Sequence, residues 1–81
     1  MRVTVRLFAR LREIVGTGEL ARDVPDGSTV QQVWRSLAHE WPPLAEFEPS
    51  ISAAINAEYT KWTTAVSEGD EVAFLPPVSG G

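Results

Sequence analysis

The sequence closes on Pro76-Pro77-Val78-Ser79-Gly80-Gly81, and the group there with chemistry to offer is the α-carboxyl of Gly81. An α-carboxyl titrates near ~3.5, so at neutral pH it is an anion and a poor electrophile. Activation as an acyl-adenylate would open its carbonyl to a sulfur donor or an amine. The residues before it predict how the group is presented. Proline fixes φ and lacks a backbone donor, so a strand over Glu71-Val72-Ala73-Phe74-Leu75 stops at Pro76. Two prolines favour an extended arm at ~3.1 Å per residue, which gives residues 76–81 a reach of roughly 15–20 Å. Gly80 and Gly81 carry no Cβ, so the end of that arm is as thin as a polypeptide can be. Such a thread suits delivery of its carboxyl into a narrow active site on another protein. The competing reading is a frayed chain end. A strand running flush into a proline spacer favours presentation, and divides the chain into a folded domain, 1–75, and an extended tail, 76–81.

Composition removes most other chemistries. The chain has no cysteine, which excludes disulfides, thiolate metal sites, a cysteine nucleophile and storage of sulfur as a side-chain persulfide. Any sulfur carried has to sit on the terminus. His39 has no second histidine to join it, so no metal site is expected. A net charge of −4 argues against nucleic acid, whose phosphates need a basic face, and fits an encounter with a basic partner protein. The start, Met1-Arg2-Val3-Thr4-Val5, is no signal peptide and no apolar run approaches a membrane span, so the expected location is the cytoplasm. No paired acids, catalytic triad or phosphate loop is visible, and the chain is expected to be non-catalytic alone.

The elements that position the tail follow from hydrophobic periodicity. In 81 residues there is room for one small domain with a single core. Val3, Val5 and Leu7 alternate with Arg2, Thr4 and Arg6 as a half-buried strand. Phe8 continues on the polar side, either packed under a loop or offered to a partner. Ala9 to Val15 reads as a short helix stopped by Gly16, with Arg10 and Arg12 on a solvated face. Glu19 to Val24 returns as a second strand, antiparallel to the first. After the turn Pro25-Asp26-Gly27, Ser28 and Gln31 form a capping box for a helix over Ser28 to Trp41. Its stripe Val30, Val33, Trp34, Leu37 and Trp41 is read as core, and Pro42-Pro43 ends it. Leu44 to Pro49 reads as a loop with one helical turn. Ile51, Ala53 and Ile55 form a third strand, Asn56-Ala57-Glu58 a turn, and Tyr59 begins a short return strand. Trp62 is read as a small satellite core, with a partner contact as the alternative. Val66 packs inward before the turn Ser67-Glu68-Gly69-Asp70 and the last strand. The expected core is Val3, Val5, Leu7, Leu20, Val30, Val33, Leu37, Ile55, Val72 and Phe74. This order gives an α+β mixed sheet with one main helix packed across it and the last strand parallel to the first.

The ending Gly69-Asp70-Glu71-Val72-Ala73-Phe74-Leu75-Pro76-Pro77-Val78-Ser79-Gly80-Gly81 resembles the MoaD branch of the ubiquitin-like sulfur carriers, the small subunits of molybdopterin synthase. Leu7-Phe8-Ala9-Arg10-Leu11-Arg12-Glu13 resembles that branch's opening, and Ala54-Ile55-Asn56-Ala57-Glu58-Tyr59 is similar to its hairpin, with Ala57 where relatives often carry glycine. The resemblance implies the ubiquitin-like β-grasp fold. It implies that an activating enzyme adenylates Gly81 with ATP, that a sulfur donor converts it to a thiocarboxylate, and that the large synthase subunit takes the tail within a heterotetramer. There the sulfur passes to a pterin precursor, and the chain itself binds no cofactor. Alternatives are a sulfur carrier for thiamine synthesis, a protein modifier joined through Gly81 to lysine, or a plain binding domain. Strand parity puts Phe8 and Leu75 on the sheet face away from the helix, with Tyr59 beside them, as an apolar patch for partner binding at the base of the tail.

Overall fold

The computed structural model describes residues 1–77, so Val78, Ser79, Gly80 and Gly81 of the tail lie outside the described residues. Strand β1 (Arg2–Leu7) buries Val3, Val5 and Leu7 on one face. Helix α1 (Ala9–Val15) follows and ends at Gly16, whose φ of +92° favours glycine. Strand β2 (Glu19–Asp23) pairs antiparallel with β1, Val5 opposite Leu20 and Val3 opposite Arg22. It stops a residue before the expected Val24, which is buried beyond the strand end.

Helix α2 (Val30–Glu40) buries Val30, Val33, Trp34 and Leu37 against the sheet, while Trp41 is a half-buried C-cap. Its start corrects the expected Ser28–Gln31 box. Ser28 Oγ donates to Pro25 O at 2.6 Å and is spent closing the preceding turn. The cap is Thr29: its hydroxyl accepts Gln32 N–H at 3.3 Å, and the Gln32 side chain accepts Thr29 N–H at 2.8 Å. The next two N–H groups, of Val30 and Gln31, donate to Thr64 O and Trp62 O. Four N-terminal helix donors need partners, and the loop before β5 fixes where the helix begins.

The segment expected to be a loop is instead a 3-10 helix (Pro42–Ser50) with Leu44 fully buried. Proline in its first turn costs no hydrogen bond, so Pro42-Pro43 ends one helix and opens another. Strands β3 (Ser52–Ile55) and β4 (Glu58–Thr60) form a hairpin, so Glu58 belongs to the strand rather than the turn. Strand β5 (Glu71–Leu75) enters between β1 and β3, parallel to β1 and antiparallel to β3. The sheet order is β2-β1-β5-β3-β4. A hairpin, a crossing helix and a parallel central last strand make a β-grasp fold of the ubiquitin-like kind.

Leu20 and Ile55, expected in the core, are half-buried. Both lie near the rim of the sheet face that α2 covers. Leu11, Val24, Leu44, Ile51, Ala53 and Val66 complete the core instead. Trp34, Trp62 and Phe74 form an aromatic cluster, with Trp62 stacked on Phe74 at 5.9 Å and Trp34 tilted against Phe74 at 5.0 Å. That cluster anchors β5 one residue before its end.

Candidate functional site: the open sheet face at the base of the tail

Alternation along β5 sends Val72 and Phe74 into the core and leaves Glu71, Ala73 and Leu75 on the opposite, open face. Arg6 pairs with Ala73, Ala73 with Ala54, and Ala54 with Tyr59, so a single row crosses the open face through four strands. One step toward the tail, Leu75 pairs with Ser52. Phe8 lies one residue past the Leu7–Phe74 pair and so comes level with Leu75 on the neighbouring strand. Its backbone is still extended, with φ −128° and ψ 154°, so the strand's parity carries its ring onto the open face just before α1 turns the chain away.

Phe8 and Tyr59 are the exposed large hydrophobic side chains among the described residues, at 38% and 77% exposure, and Leu75 is half-buried. The small side chains of Ala73 and Ala54 form a shallow floor between them. The Arg6 guanidinium sits 5.6 Å from the centre of the Phe8 ring. Arg6 also pairs with Glu19 and Glu71, each at 3.6 Å, and is held in place from both sides. The expected patch residues Phe8, Leu75 and Tyr59 thus share one face. Arg6 and the alanine floor were not anticipated, although the period-two reading that places Leu75 outward extends to Ala73, and to Ala54 once its partner strand is known.

Pro76 is half-buried and Pro77 exposed at the point where β5 ends. The remaining tail positions, Val78 to Gly81, fall outside the described residues. Arg10 is paired with Glu13 at 3.0 Å on the exposed side of α1. At the opposite end of the sheet, a hydrogen bond and the charge of Arg2 hold the Asp23 carboxyl below the usual carboxylate range.

A five-stranded β-grasp sheet with one crossing helix, an apolar patch at the end of its central strand and a sequence that runs on to a diglycine defines a ubiquitin-like protein. The chain belongs to the ThiS family, which matches residues 5–81. It is 40% identical over 98% of its length to a molybdopterin synthase sulfur carrier subunit of Arabidopsis thaliana, covering 82% of that protein. To the protein of the same name from Escherichia coli K12 it is 37% identical, covering 98% of this chain and 99% of that one. Among solved structures it is similar to the small archaeal modifier protein 1 from Methanosarcina acetivorans, with a TM-score of 0.84 and 36% identity over 99% of this chain and 96% of that chain.

Proposed function

We propose that this chain is the sulfur-carrier subunit of a molybdopterin synthase. The near-full-length similarity to sulfur carrier subunits of that enzyme is the observation that carries the reading. The reactive group is the Gly81 carboxylate. One of its oxygens attacks the α-phosphorus of ATP on an activating enzyme, and pyrophosphate leaves. A sulfur donor at the sulfide level then attacks the acyl carbonyl, a C–S bond forms, and AMP leaves with the C–O electron pair. The product is a thiocarboxylate. In the cytoplasm it travels to the large synthase subunit, which supplies the pocket in a heterotetramer. There its sulfur attacks an electrophilic carbon of a pterin precursor, forming a C–S bond as an oxygen substituent leaves that carbon with the C–O electron pair. Hydrolysis of the resulting acyl link returns the Gly81 carboxylate.

The fold's part in this cycle is presentation. The Phe74 cluster fixes β5, the prolines extend the chain, and Phe8, Leu75 and Tyr59 form the apolar surface that docks on the large subunit. The sulfur must reach the pterin in register with that docking. Deleting Gly81 shortens the arm by about 3.5 Å, and even ~1 Å of misplacement can cost about 100-fold in rate. The deletion is expected to leave the fold unchanged and abolish synthase activity.

The decisive experiment is intact mass spectrometry after incubation with ATP, activating enzyme and sulfur donor. The C-terminal peptide should gain one oxygen-to-sulfur exchange and lose it when the large subunit and pterin precursor are added. A tail that is never adenylated removes the proposal. Conjugates of higher mass on a blot would assign the adenylate to protein modification instead.

A further inference from the structure

The acidic net charge of −4 is not spread evenly over the molecule. Five of the cationic side chains, Arg2, Arg6, Arg10, Arg22 and Arg35, stand in ion pairs with carboxylates. Arg12 and Lys61 have no such partner among the described residues. Both lie at the end of the sheet where β5 gives way to the tail. Arg12 belongs to α1, which follows directly from the end of β1, and its side chain runs past Gly18. Gly18 O in turn accepts from Leu7 N–H at 2.9 Å, at the same end of β1. Lys61 follows the last residue of β4, Thr60, which is opposite Ala53, itself opposite Phe74.

The strand order puts these two charges on opposite sides of β5. At ~4.8 Å per strand their backbones are roughly 15–20 Å apart. The same end also carries Arg6, Arg10, Glu13 and Glu19, which are joined in ion pairs. The other end of the sheet is acidic, where Asp23, Asp26, Glu58, Glu68, Asp70 and Glu71 meet Arg2 and the Met1 amine. The molecule is therefore uneven along its strands, with an acidic far end and the two cations that lack a described partner at the end that bears the tail.

We infer that Arg12 and Lys61 are an electrostatic docking pair for carboxylates flanking the mouth of the channel that takes the tail. The inference rests on the sulfur-carrier reading, and the occupant is the synthase large subunit. A thread can enter a channel only if the chain arrives tail first. Two cations without a partner among the described residues, astride the exit and with acids at the far end, turn the molecule that way in the field of an acidic rim. At physiological ionic strength the rim carboxylates would stand about one Debye length to either side of the thread, so the repulsion of the anionic terminus by them is reduced there. Exposed charges add little to affinity, so the effect belongs to the association rate and its salt dependence. Such a rim differs from the basic partner expected from net charge, because it answers the two cations beside the tail rather than the sum.

Stopped-flow association of the full chain with purified large subunit tests this. Arg12→Glu combined with Lys61→Glu should slow association by about 10-fold or more at low ionic strength. The difference should collapse near ~0.5 M salt, where the Debye length falls to about 4 Å. Arg35→Glu reverses a charge on the helix side and should stay within about twofold of wild type. Arg12→Met with Lys61→Met keeps the aliphatic stems and guards against a folding defect; it should show a smaller loss in the same direction. Wild-type rates in both double variants, or faster association, would overturn the inference while leaving the carrier function standing. Failure of the unaltered chain to bind the large subunit at all would remove both.

Discussion

Ala57 occupies the second position of a two-residue hairpin loop closed by the Ile55–Glu58 pair, and its φ is +71°. Asn56 before it has φ +50°, and positive φ at both positions is what the favoured hairpin turn requires. Asn56 is compensated: its side chain bonds Asp70 at 3.0 Å and accepts Glu71 N–H at 2.9 Å. Ala57 has no such compensation and bears the clash of its Cβ with the backbone. Ala57→Gly should therefore stabilise the fold by about 0.5–1 kcal/mol, the relief of strain exceeding the added unfolded-state entropy. In urea the midpoint should rise with an unchanged slope. Asp23 makes a second residue-scale case. Its folded-state pKa lies below the unfolded value near ~3.9, so its pairing with Arg2 stabilises the fold above that pH. The contribution is lost as pH falls through the folded-state value. Melting curves of Asp23→Asn should thus lie slightly below wild type at pH 6 and converge with it as pH falls through the folded-state pKa, and added salt should shrink the gap because the pair is exposed.

At the scale of the element, α2 shows how a terminus is chosen. Ser28-Thr29-Val30-Gln31-Gln32 contains two overlapping capping boxes, and local chemistry alone does not choose between them. The loop 62–66 does, by offering Trp62 O and Thr64 O to the first helical N–H groups and by pairing Ala65 with Thr29. Thr29→Ala should cost about 1 kcal/mol through loss of the cap. Ser28→Ala should lower α2 stability less, since its hydroxyl serves the turn at Pro25. Amide exchange at Gln32 distinguishes the two: its protection should drop in the Thr29 variant. Strand β5 is the complementary case. Its buried alternation, its start after Gly69-Asp70 and its stop at Pro76 were all legible, because each depends on local residues.

Across the whole molecule, the candidate site is a property of register. Phe8, Leu75 and Tyr59 come from segments far apart in sequence, and they share one face because β5 inserts between β1 and β3. Since none of them fills the core, Phe8→Ala and Leu75→Ala should leave the melting temperature nearly unchanged and weaken large-subunit binding by about 10-fold or more. Calorimetric titration alongside thermal melting checks both halves. Unchanged affinity would remove the docking role, and a large drop in stability would assign these side chains to the core.

The sequence by itself determined the alternating strands, the crossing helix and the parallel return of β5, because period-two and period-3.6 hydrophobicity and proline breaks are local signals. It also left the Gly81 carboxyl as the group on which the proposed sulfur chemistry rests, since the chain has no cysteine. What tertiary structure decided was everything that depends on neighbours distant in the chain. The helix start went to Thr29 because a loop more than thirty residues away satisfies its donors. The segment after Pro42 became a 3-10 helix because Leu44 had a core to fill. Net charge gave one acidic number, while strand pairing and ion pairs gathered acids at one end and left Arg12 and Lys61 without a described partner at the other. Charge placement is a three-dimensional quantity, and composition contains only its sum.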